Sequence, residues 1–296
     1  MPVFKAIILG LVQGLTEFLP VSSSGHLVVV PYLLSWEQPS LAVEVALHFG
    51  TLVAVMAYFS KDLWWLGTRT LGIGVTLEGE REKARRTMML LAIGSVPAAL
   101  FGFAIEPQIE STFSRDPRWA GGFLLVTAAL LFFAERLRRN RAAASLGVEP
   151  HRDLVTDVGR DESTVTHRDA VVIGVAQALA IFPGISRAGA TMAAGMTLGL
   201  SRGGAARFSF MLSIPVVLGA SIFKFQDMVS TDAASIFTGQ ELIVAVLTSA
   251  VTGFWAIRFL LRLVSRDDLT GFARYAAMLG VLTLAGYAWL GPPSSI

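Results

Sequence analysis

The apolar segments of this chain come in two lengths, and those lengths constrain the fold more than any other feature of the sequence. Crossing a bilayer takes about 20 apolar residues, and six segments approach that length: Leu41–Phe59, Met88–Ile105, Trp119–Ala134, Phe208–Phe223, Leu242–Leu263 and Tyr275–Leu290. Four are too short and form two pairs: Phe4–Leu19 with Leu27–Leu34, and Ala170–Phe182 with Ala188–Leu200. Because a backbone in lipid must satisfy its own hydrogen bonds, the pattern predicts an all-α polytopic membrane protein of about ten helical segments.

The composition supports a membrane protein and excludes several classes of function. Of the 296 residues, 53% are hydrophobic and 16% are charged, whereas soluble domains carry about 25% charged residues. The formal net charge is only +2, so membrane lipids are expected partners and nucleic acid is not. The chain has no Cys, which excludes disulfides and thiolate chemistry.

Each pair of short segments flanks a polar stretch, and the two stretches are related. The first runs from Gly10 to His26 as Gly-Leu-Val-Gln-Gly-Leu-Thr-Glu-Phe-Leu-Pro-Val-Ser-Ser-Ser-Gly-His. The second runs from Gly174 to Thr191 as Gly-Val-Ala-Gln-Ala-Leu-Ala-Ile-Phe-Pro-Gly-Ile-Ser-Arg-Ala-Gly-Ala-Thr. Gly, Gln, Leu and Phe align in register, Pro aligns after a one-residue gap, and Ser23 then falls opposite Ser186. We interpret the chain as two copies of one module that bring these polar elbows together.

Loop charges predict how the two modules are oriented. Basic residues cluster in three connections, which the positive-inside rule places in the cytoplasm: Lys61–Arg86, Arg136–Arg168 and Arg262–Arg274. The second short pair then leaves from the inside and returns there, as a re-entrant hairpin. Each half would be one such hairpin plus three transmembrane helices, and an odd number of spans inverts the halves relative to each other, with both termini outside.

This arrangement divides a single membrane domain, residues 1–296, into three parts. We expect repeat halves at 1–140 and 168–296, joined by a cytoplasmic linker at 141–167. The Arg-rich connection Glu135–Arg168 is expected to be a solvated loop. Inverted repeats with broken helices place a functional site near the membrane midplane, where the breaks meet.

The elbows have the residue types of an anion site. Pro20 and Pro183 end the descending arms, and the serines that follow can cap the returning helices. Each returning helix then presents free N–H groups and a positive dipole end, which suit a phosphate. Arg187 adds a planar donor fork for phosphate oxygens.

The first elbow also has groups for catalysis or metal binding. Gln13 and Glu17 lie four residues apart on one helix face, where they could hold Mg²⁺ or Ca²⁺ together with substrate phosphates. Alternatively, Glu17 is a base that orients a hydroxyl or an imidazole. Ser22 and Ser23 precede His26 by four and three residues, so either can meet its ring as an activated nucleophile.

Structural roles for the same residues remain open at this point. The serines can be simple caps, Arg187 can plug carbonyl groups, and Gly184 can be a packing surface. Gln177 lacks a carboxylate four residues on, where Ile181 stands, so we expect it to pack between helices. Glu44 and His48 share a helix face and either line the same cavity or pair with each other.

The two elbows resemble the signatures of the bacterial undecaprenyl-pyrophosphate phosphatases of the BacA type. The first matches a (Glu/Gln)-x-x-x-Glu pattern followed by the Ser-rich turn and His26, and the second matches Pro-Gly-x-Ser-Arg-x-x-x-Thr from Pro183 to Thr191. The similarity in segment order covers nearly the whole chain. One departure is Ala188, where the family commonly has Ser, so a hydroxyl there is either dispensable or replaced by that of Thr191.

The resemblance implies a plasma-membrane hydrolase that converts undecaprenyl pyrophosphate to undecaprenyl phosphate and phosphate. We expect the site to open to the outer face, which would suit a carrier released there. Ser23 would be the nucleophile, with His26 as its proton partner and Glu17 orienting His26 or holding the cation. The other site residues would bind phosphate: Ser22, Ser24, Gly184, Ser186, Arg187 and Thr191. Attack by His26 or by a metal-bound water remains an alternative, as does a lipid or anion transporter on the same inverted repeat. A homo-oligomer is compatible with the sequence.

Overall fold

The structure is a computed structural model that describes residues 2–74, 78–114, 116–147, 149, 157–230 and 239–292. Within these residues the chain forms eleven α-helices and one 3₁₀ helix: α1 (Val3–Phe18), α2 (Ser23–Leu33), α3 (Leu41–Tyr58), α4 (Ser60–Leu71), α5 (Glu78–Phe113), α6 (Pro117–Leu146), the 3₁₀ helix (Glu162–Thr164), α7 (His167–Leu179), α8 (Arg187–Thr197), α9 (Arg202–Ser230), α10 (Gly239–Leu263) and α11 (Thr270–Leu290). In the same residues the β-pairing is limited to an isolated bridge between Arg160 and Leu200. The predicted all-α fold is confirmed.

Every predicted apolar segment corresponds to a helix, and the two short pairs become α1–α2 and α7–α8. Among the described residues, five helices are long and apolar enough to cross a membrane, namely α3, α5, α6, α9 and α10. The sixth expected span, α11, is not among those five, although its 21 residues extend about 32 Å at 1.5 Å per residue. The protein is therefore a multi-pass membrane protein.

Helix α4 is a difference from the prediction. The sequence placed its residues in a basic connection, but Ser60–Leu71 forms a helix that ends at Gly72, which has the left-handed conformation. Polar and apolar residues are mixed along this helix, and Trp64 is 75% exposed. A polar helix with an exposed tryptophan is typical of a segment that lies in the membrane interface.

Small residues let the hairpin arms pack closely against long helices. Helix α1 packs on α10, and a Cβ added at Gly14 would lie 1.9 Å from Thr252 Oγ1. Helix α7 packs on α5, and a Cβ added at Gly174 would lie 2.3 Å from the carbonyl oxygen of Gly94. Close backbone approach at glycine is the usual way in which membrane helices pack. It fixes the depth at which each hairpin turns.

The connection Glu135–Arg168 is not a solvated loop, so that prediction is wrong. Helix α6 continues through Leu146, and Glu135 is only 1% exposed. Its carboxylate accepts hydrogen bonds from Arg202 Nε at 2.7 Å, from Arg138 Nε at 3.2 Å and from the backbone N–H of Leu269 at 3.1 Å. Burying a charge is favourable only with such partners, and here they tie α6 to α9 and to the α10–α11 connection. Residues 148 and 150–156 of the predicted linker lie outside the described residues.

Candidate active site

The two elbows meet, as the repeat predicts. Leu19 has an extended backbone after α1, as expected for a residue that precedes proline. Ser24 Oγ accepts a hydrogen bond from the backbone N–H of Gly184 at 3.4 Å, and a Cβ added at Gly25 would lie 3.1 Å from Gly184 Cα. Only backbone and small residues fit where the elbows cross, so the glycines there serve close approach.

Thr127 of α6 braces the second elbow, and the sequence analysis missed it. Its hydroxyl donates to the carbonyl oxygen of Gly184 at 2.8 Å and accepts from the backbone N–H of Ser186 at 2.9 Å. Thr127 is 1% exposed, and Gly184 has a φ of +104°, which a residue with a side chain rarely adopts. A threonine in an apolar helix has no sequence signal that distinguishes this role from an ordinary bond to its own helix.

Glu17 stands at the centre of the site. Its Oε2 accepts hydrogen bonds from Ser23 Oγ at 2.5 Å and from Gln13 Nε2 at 3.0 Å. Its Oε1 accepts from Arg187 Nη2 at 2.7 Å. One carboxylate thus joins the helix before the first elbow, the helix after it and the second elbow. The shared face of Gln13 and Glu17 is confirmed.

The two terminal nitrogens of the Arg187 guanidinium differ in their hydrogen bonding. Nη2 donates to Glu17, whereas Nη1 is buried and has no hydrogen-bond partner among the described residues. A buried charged donor without a partner is costly. Because Arg187 also lines the adjacent cavity, Nη1 is suited to an anionic ligand bound there.

A cavity of about 510 Å³ lies beside these groups. Its polar and charged lining residues come from seven helices and the second elbow: Glu17, Ser23, Ser24, Glu44, His48, Ser95, Gln177, Ser186, Arg187, Ser221 and Lys224. Apolar side chains and glycines, most of them from α5, α9 and the second elbow, form the rest of the wall. Of the predicted site residues, Glu17, Ser23, Ser24, Ser186 and Arg187 reach this cavity.

The remaining predicted phosphate ligands lie behind the cavity wall. Ser22 is 2% exposed and caps α2 by accepting from the backbone N–H of Gly25 at 3.2 Å. Thr191 is fully buried, and its hydroxyl bonds to the Arg187 carbonyl oxygen at 2.8 Å and to Ser209 Oγ at 2.5 Å. Gly184 turns the backbone. These three residues therefore do not line the cavity. The hydroxyls of Ser22 and Thr191 bond to other protein groups, and Gly184 forms the turn of the second elbow.

His26 does not meet Ser23, so the expected hydroxyl–imidazole pair is wrong. Its Nδ1 lies 2.6 Å from the carbonyl oxygen of Ser22, and its Nε2 lies 2.8 Å from the hydroxyl of Tyr275. A carbonyl oxygen only accepts, so Nδ1 donates and Nε2 accepts from Tyr275. The imidazole stacks on the Tyr275 ring with an interplanar angle of 8° and is absent from the cavity wall.

This contact gives His26 a role in positioning the turn. Ser22 has a φ of +71°, which is unfavourable for a residue with a side chain. The His26 N–H holds the carbonyl group of this strained residue, and Ser23 follows it directly. His26 therefore helps to fix the position of Ser23 through the Ser22 carbonyl, without a hydrogen bond to the Ser23 side chain.

Glu44 and His48 both line the cavity, which is one of the two arrangements that the sequence left open. His48 Nδ1 lies 2.9 Å from the backbone carbonyl oxygen of Glu44, so that nitrogen donates. Gln177 also lines the cavity. Its expected role in helix packing does not explain why its side-chain nitrogen and oxygen have no hydrogen-bond partner among the described residues. The sequence signal for Gln177 was its alignment with Gln13.

The side chains at this site are poorly suited to bind a divalent cation. All of the contacts to the Glu17 carboxylate come from hydrogen-bond donors, one of them the cationic Arg187. The described residues include no group of three or more His, Cys, Asp or Glu side chains that could hold a metal ion. The side-chain oxygens of the neutral amides of Gln13 and Gln177 have no hydrogen-bond partner in the described part of the chain.

The chain is similar to known proteins over nearly its whole length. A family model described as bacitracin resistance protein BacA matches residues 6–282. A protein of Moorella thermoacetica named undecaprenyl-diphosphatase is 39% identical, over 98% of this chain and 99% of its own. Proteins of the same name from Methanosphaera stadtmanae and Pelotomaculum thermopropionicum are 38% and 39% identical, over 95% and 98% of this chain and 97% and 100% of their own.

The strained turn at Ser22 makes a prediction about stability. His26→Ala removes the donor that holds the Ser22 carbonyl, so we expect a loss of about 1 to 2 kcal/mol in the free energy of unfolding. Adding Ser22→Gly to that variant relieves about 1 to 2 kcal/mol of positive-φ strain and loses only a few tenths with the helix cap, so it should recover about 1 kcal/mol. Thermal unfolding of the purified variants in detergent measures both. If Ser22→Gly destabilised the variant further, the assignment of strain to Ser22 would be wrong.

Proposed function

The chain belongs to the family of bacitracin resistance protein BacA, and on that premise we propose that it is an undecaprenyl-diphosphatase, an enzyme that hydrolyses undecaprenyl pyrophosphate to undecaprenyl phosphate and inorganic phosphate. The family match and the relatives of this name, at 38–39% identity over nearly the full length, support the proposal. The product is the lipid carrier of cell-wall synthesis.

One observation carries the chemistry. Ser23 Oγ donates to Glu17 at 2.5 Å, and the same carboxylate is held by Arg187, which lines the cavity and whose Nη1 has no partner in the described part of the chain. A hydroxyl bonded to a carboxylate is an activated nucleophile. A guanidinium with an unused N–H is a ready ligand for the phosphate under attack. A pure transporter has no need of the first of these features, so hydrolysis is favoured over transport.

In the first step, Ser23 attacks the terminal phosphorus of the pyrophosphate. The bond between phosphorus and Ser23 Oγ forms as the bond to the bridging oxygen breaks, and the hydroxyl proton passes to Glu17 Oε2. Undecaprenyl phosphate leaves as an anion. Arg187 Nη1 and the first N–H groups of α2 and α8 stabilise the charge on the equatorial phosphate oxygens.

In the second step, water attacks the phosphoserine. The bond between phosphorus and Ser23 Oγ breaks, and Oγ recovers its proton from Glu17. Inorganic phosphate is released together with the proton that the water gave up. Glu17 thus moves one proton in each direction and ends as the carboxylate it was at the start.

His26 supports this reaction as a positioning residue. Its hydrogen bonds to the Ser22 carbonyl and from the Tyr275 hydroxyl hold the turn from which Ser23 projects. A divalent cation remains part of the proposal only as a companion of the substrate. Mg²⁺ or Ca²⁺ bound to the pyrophosphate would neutralise phosphate charge.

We further propose that the protein lies in the bacterial plasma membrane as an inverted repeat, with the active site open to the outer face. In the repeat, α1, α3 and α6 correspond to α7, α9 and α11, and α5 corresponds to α10. The packing pairs support this relation, because α1 on α10 matches α7 on α5, and α3 on α10 matches α9 on α5. A homo-oligomer remains a prediction.

Two observations support the outer opening. The cavity extends to Glu44 and Val45 at the start of α3 and to Phe223 and Lys224 of α9. Those helix ends lie opposite the basic connections that the positive-inside rule assigns to the cytoplasm. A pyrophosphate would enter from that side while its polyprenyl chain stays in lipid.

The inverted arrangement predicts opposite accessibility for two exposed positions. Glu37 lies in the connection between α2 and α3. Val158 lies close to Arg160, which bonds to the connection between α8 and α9. Because the chain has no Cys, Glu37→Cys and Val158→Cys can be labelled singly in intact cells. We expect an impermeant thiol reagent to label the first only; labelling of both would contradict the inversion.

The proposed mechanism predicts a phosphoserine at Ser23. Ser23→Ala should abolish turnover and keep substrate binding, because Arg187, Ser24 and Ser186 remain. Rapid acid quench with a short polyprenyl pyrophosphate labelled in its terminal phosphate, followed by mass spectrometry, locates the intermediate.

Ser22→Ala is the matched comparison. It should lose about 1 kcal/mol of stability with the helix cap and still form the phosphoserine. Label on His26, or robust hydrolysis by Ser23→Ala, would remove Ser23 from the nucleophile's role.

A further inference from the structure

Gln177 is a buried amide that the mechanism above does not use. It lies in the last turn of α7, is 3% exposed and lines the catalytic cavity. Neither its side-chain nitrogen nor its side-chain oxygen has a hydrogen-bond partner among the described residues. A buried polar group left in this state costs about 1–3 kcal/mol, and native proteins contain few of them. A ligand bound beside this amide would supply the missing hydrogen bonds.

The internal repeat shows how the other half satisfies the equivalent group. Gln13 occupies the same repeat position and donates from Nε2 to Glu17, four residues on, at 3.0 Å. Four residues after Gln177 stands Ile181, which cannot accept a hydrogen bond. Gln13 therefore has a partner four residues on in its own helix, whereas Gln177, which lies two residues before the end of α7, has none among the described residues.

The cavity that Gln177 lines is more apolar than polar. Its wall includes Ala178 and Ile181 on the same arm, Ala98 and Ala99 on α5, and Val216 on α9. Gln177 makes no hydrogen bond to the group formed by Ser23, Glu17 and Arg187. Gln177 and that group are thus two separate polar parts of one cavity lining, and a pyrophosphate has two phosphates.

We propose that Gln177 binds the phosphate that stays on the lipid, so that the site recognises a diphosphate as a pair of adjacent phosphates. This inference rests on the proposed function, since Ser23 and Arg187 are taken to hold the phosphate under attack. A neutral amide donates two hydrogen bonds to phosphate oxygens without cancelling their charge. Undecaprenyl phosphate can therefore leave once the bridging bond is broken, whereas an arginine or lysine in this place would retain it.

The test compares two inhibitors of the Gln177→Leu variant. A short-chain prenyl methylenediphosphonate has both phosphate positions and resists hydrolysis, whereas orthovanadate occupies only the position under attack. We expect the inhibition constant of the diphosphonate to rise roughly 10- to 100-fold, the effect of losing hydrogen bonds to a charged group. That of orthovanadate should not change. The unfolding temperature should stay the same or rise, because an unsatisfied buried polar group is removed.

Two further variants sharpen the comparison. Gln177→Glu has the same shape but places a carboxylate beside the phosphate, so it should weaken diphosphonate binding more than Gln177→Leu does. Thr283→Val removes a fully buried hydroxyl from α11 that is not part of the cavity lining, and should change neither inhibition constant. Gln177→Met, which is close to glutamine in shape and apolar, replaces the leucine variant if that protein does not fold.

Each arm has a result that overturns a specific claim. An unchanged diphosphonate constant in folded Gln177→Leu or Gln177→Met would return Gln177 to a packing role. An equal loss for both inhibitors would place it at the phosphate under attack and overturn the assignment to the retained phosphate. The proposed function itself would be overturned if the wild-type protein neither hydrolysed a polyprenyl pyrophosphate nor bound either inhibitor. That measurement needs no variant, so it is independent of the result for Gln177.

Discussion

A buried ion pair between two helix breaks is the interaction on which the site depends. Glu17 and Arg187 lie 170 positions apart in the chain, and their side chains meet at 2.7 Å. Two charges removed from water are stable only if their remaining atoms are also satisfied. Ser23 and Gln13 do this for the carboxylate. Nη1 of the arginine has no hydrogen-bond partner among the described residues, so the same side chain that stabilises the fold is also available to bind an anion.

The scaffold around this pair limits how far the two elbows can move. Helix α1 is pinned to α10 at Gly14, and α7 is pinned to α5 at Gly174. Thr127 bonds both sides of the second elbow, and the buried Glu135 anchors three segments away from the cavity. Reactive groups must be held to about 0.5 Å for efficient chemistry. Rigid helices that meet at glycine contacts are well suited to that requirement.

The features that the sequence predicted are those that depend on local rules. Apolar length predicted the helices, proline and serine predicted the breaks and the Ser22 cap, and spacing predicted that Gln13 and Glu17 share a face. The internal repeat predicted that the elbows meet, because two copies of a broken helix have complementary polar ends to satisfy. These rules act over a few residues or through a repeat that is visible in the chain itself.

The features that escaped prediction depend on contacts between distant residues. His26 is within reach of Ser23 by spacing, yet its ring turns to Tyr275, 249 positions away, and sequence spacing cannot exclude such a competitor. Thr127 stabilises the second elbow and Glu135 pairs with Arg202 because the fold brings these partners together. The sequence around either residue does not show those partners. For Gln177 the sequence showed the missing carboxylate but not the cavity beside it, so a packing role was the natural expectation.

The central claim is that Glu17 and Arg187 act as one unit in stabilising the transition state. A double-mutant cycle with Glu17→Gln and Arg187→Gln, measured as kcat/KM for hydrolysis of a polyprenyl pyrophosphate, tests it most directly. Each single change should cost on the order of 10²-fold or more. Residues that act together give non-additive losses, so the double variant should be about as impaired as the worse single variant. Losses that multiply in full would contradict the account, because they would mean that the two elbows contribute independently.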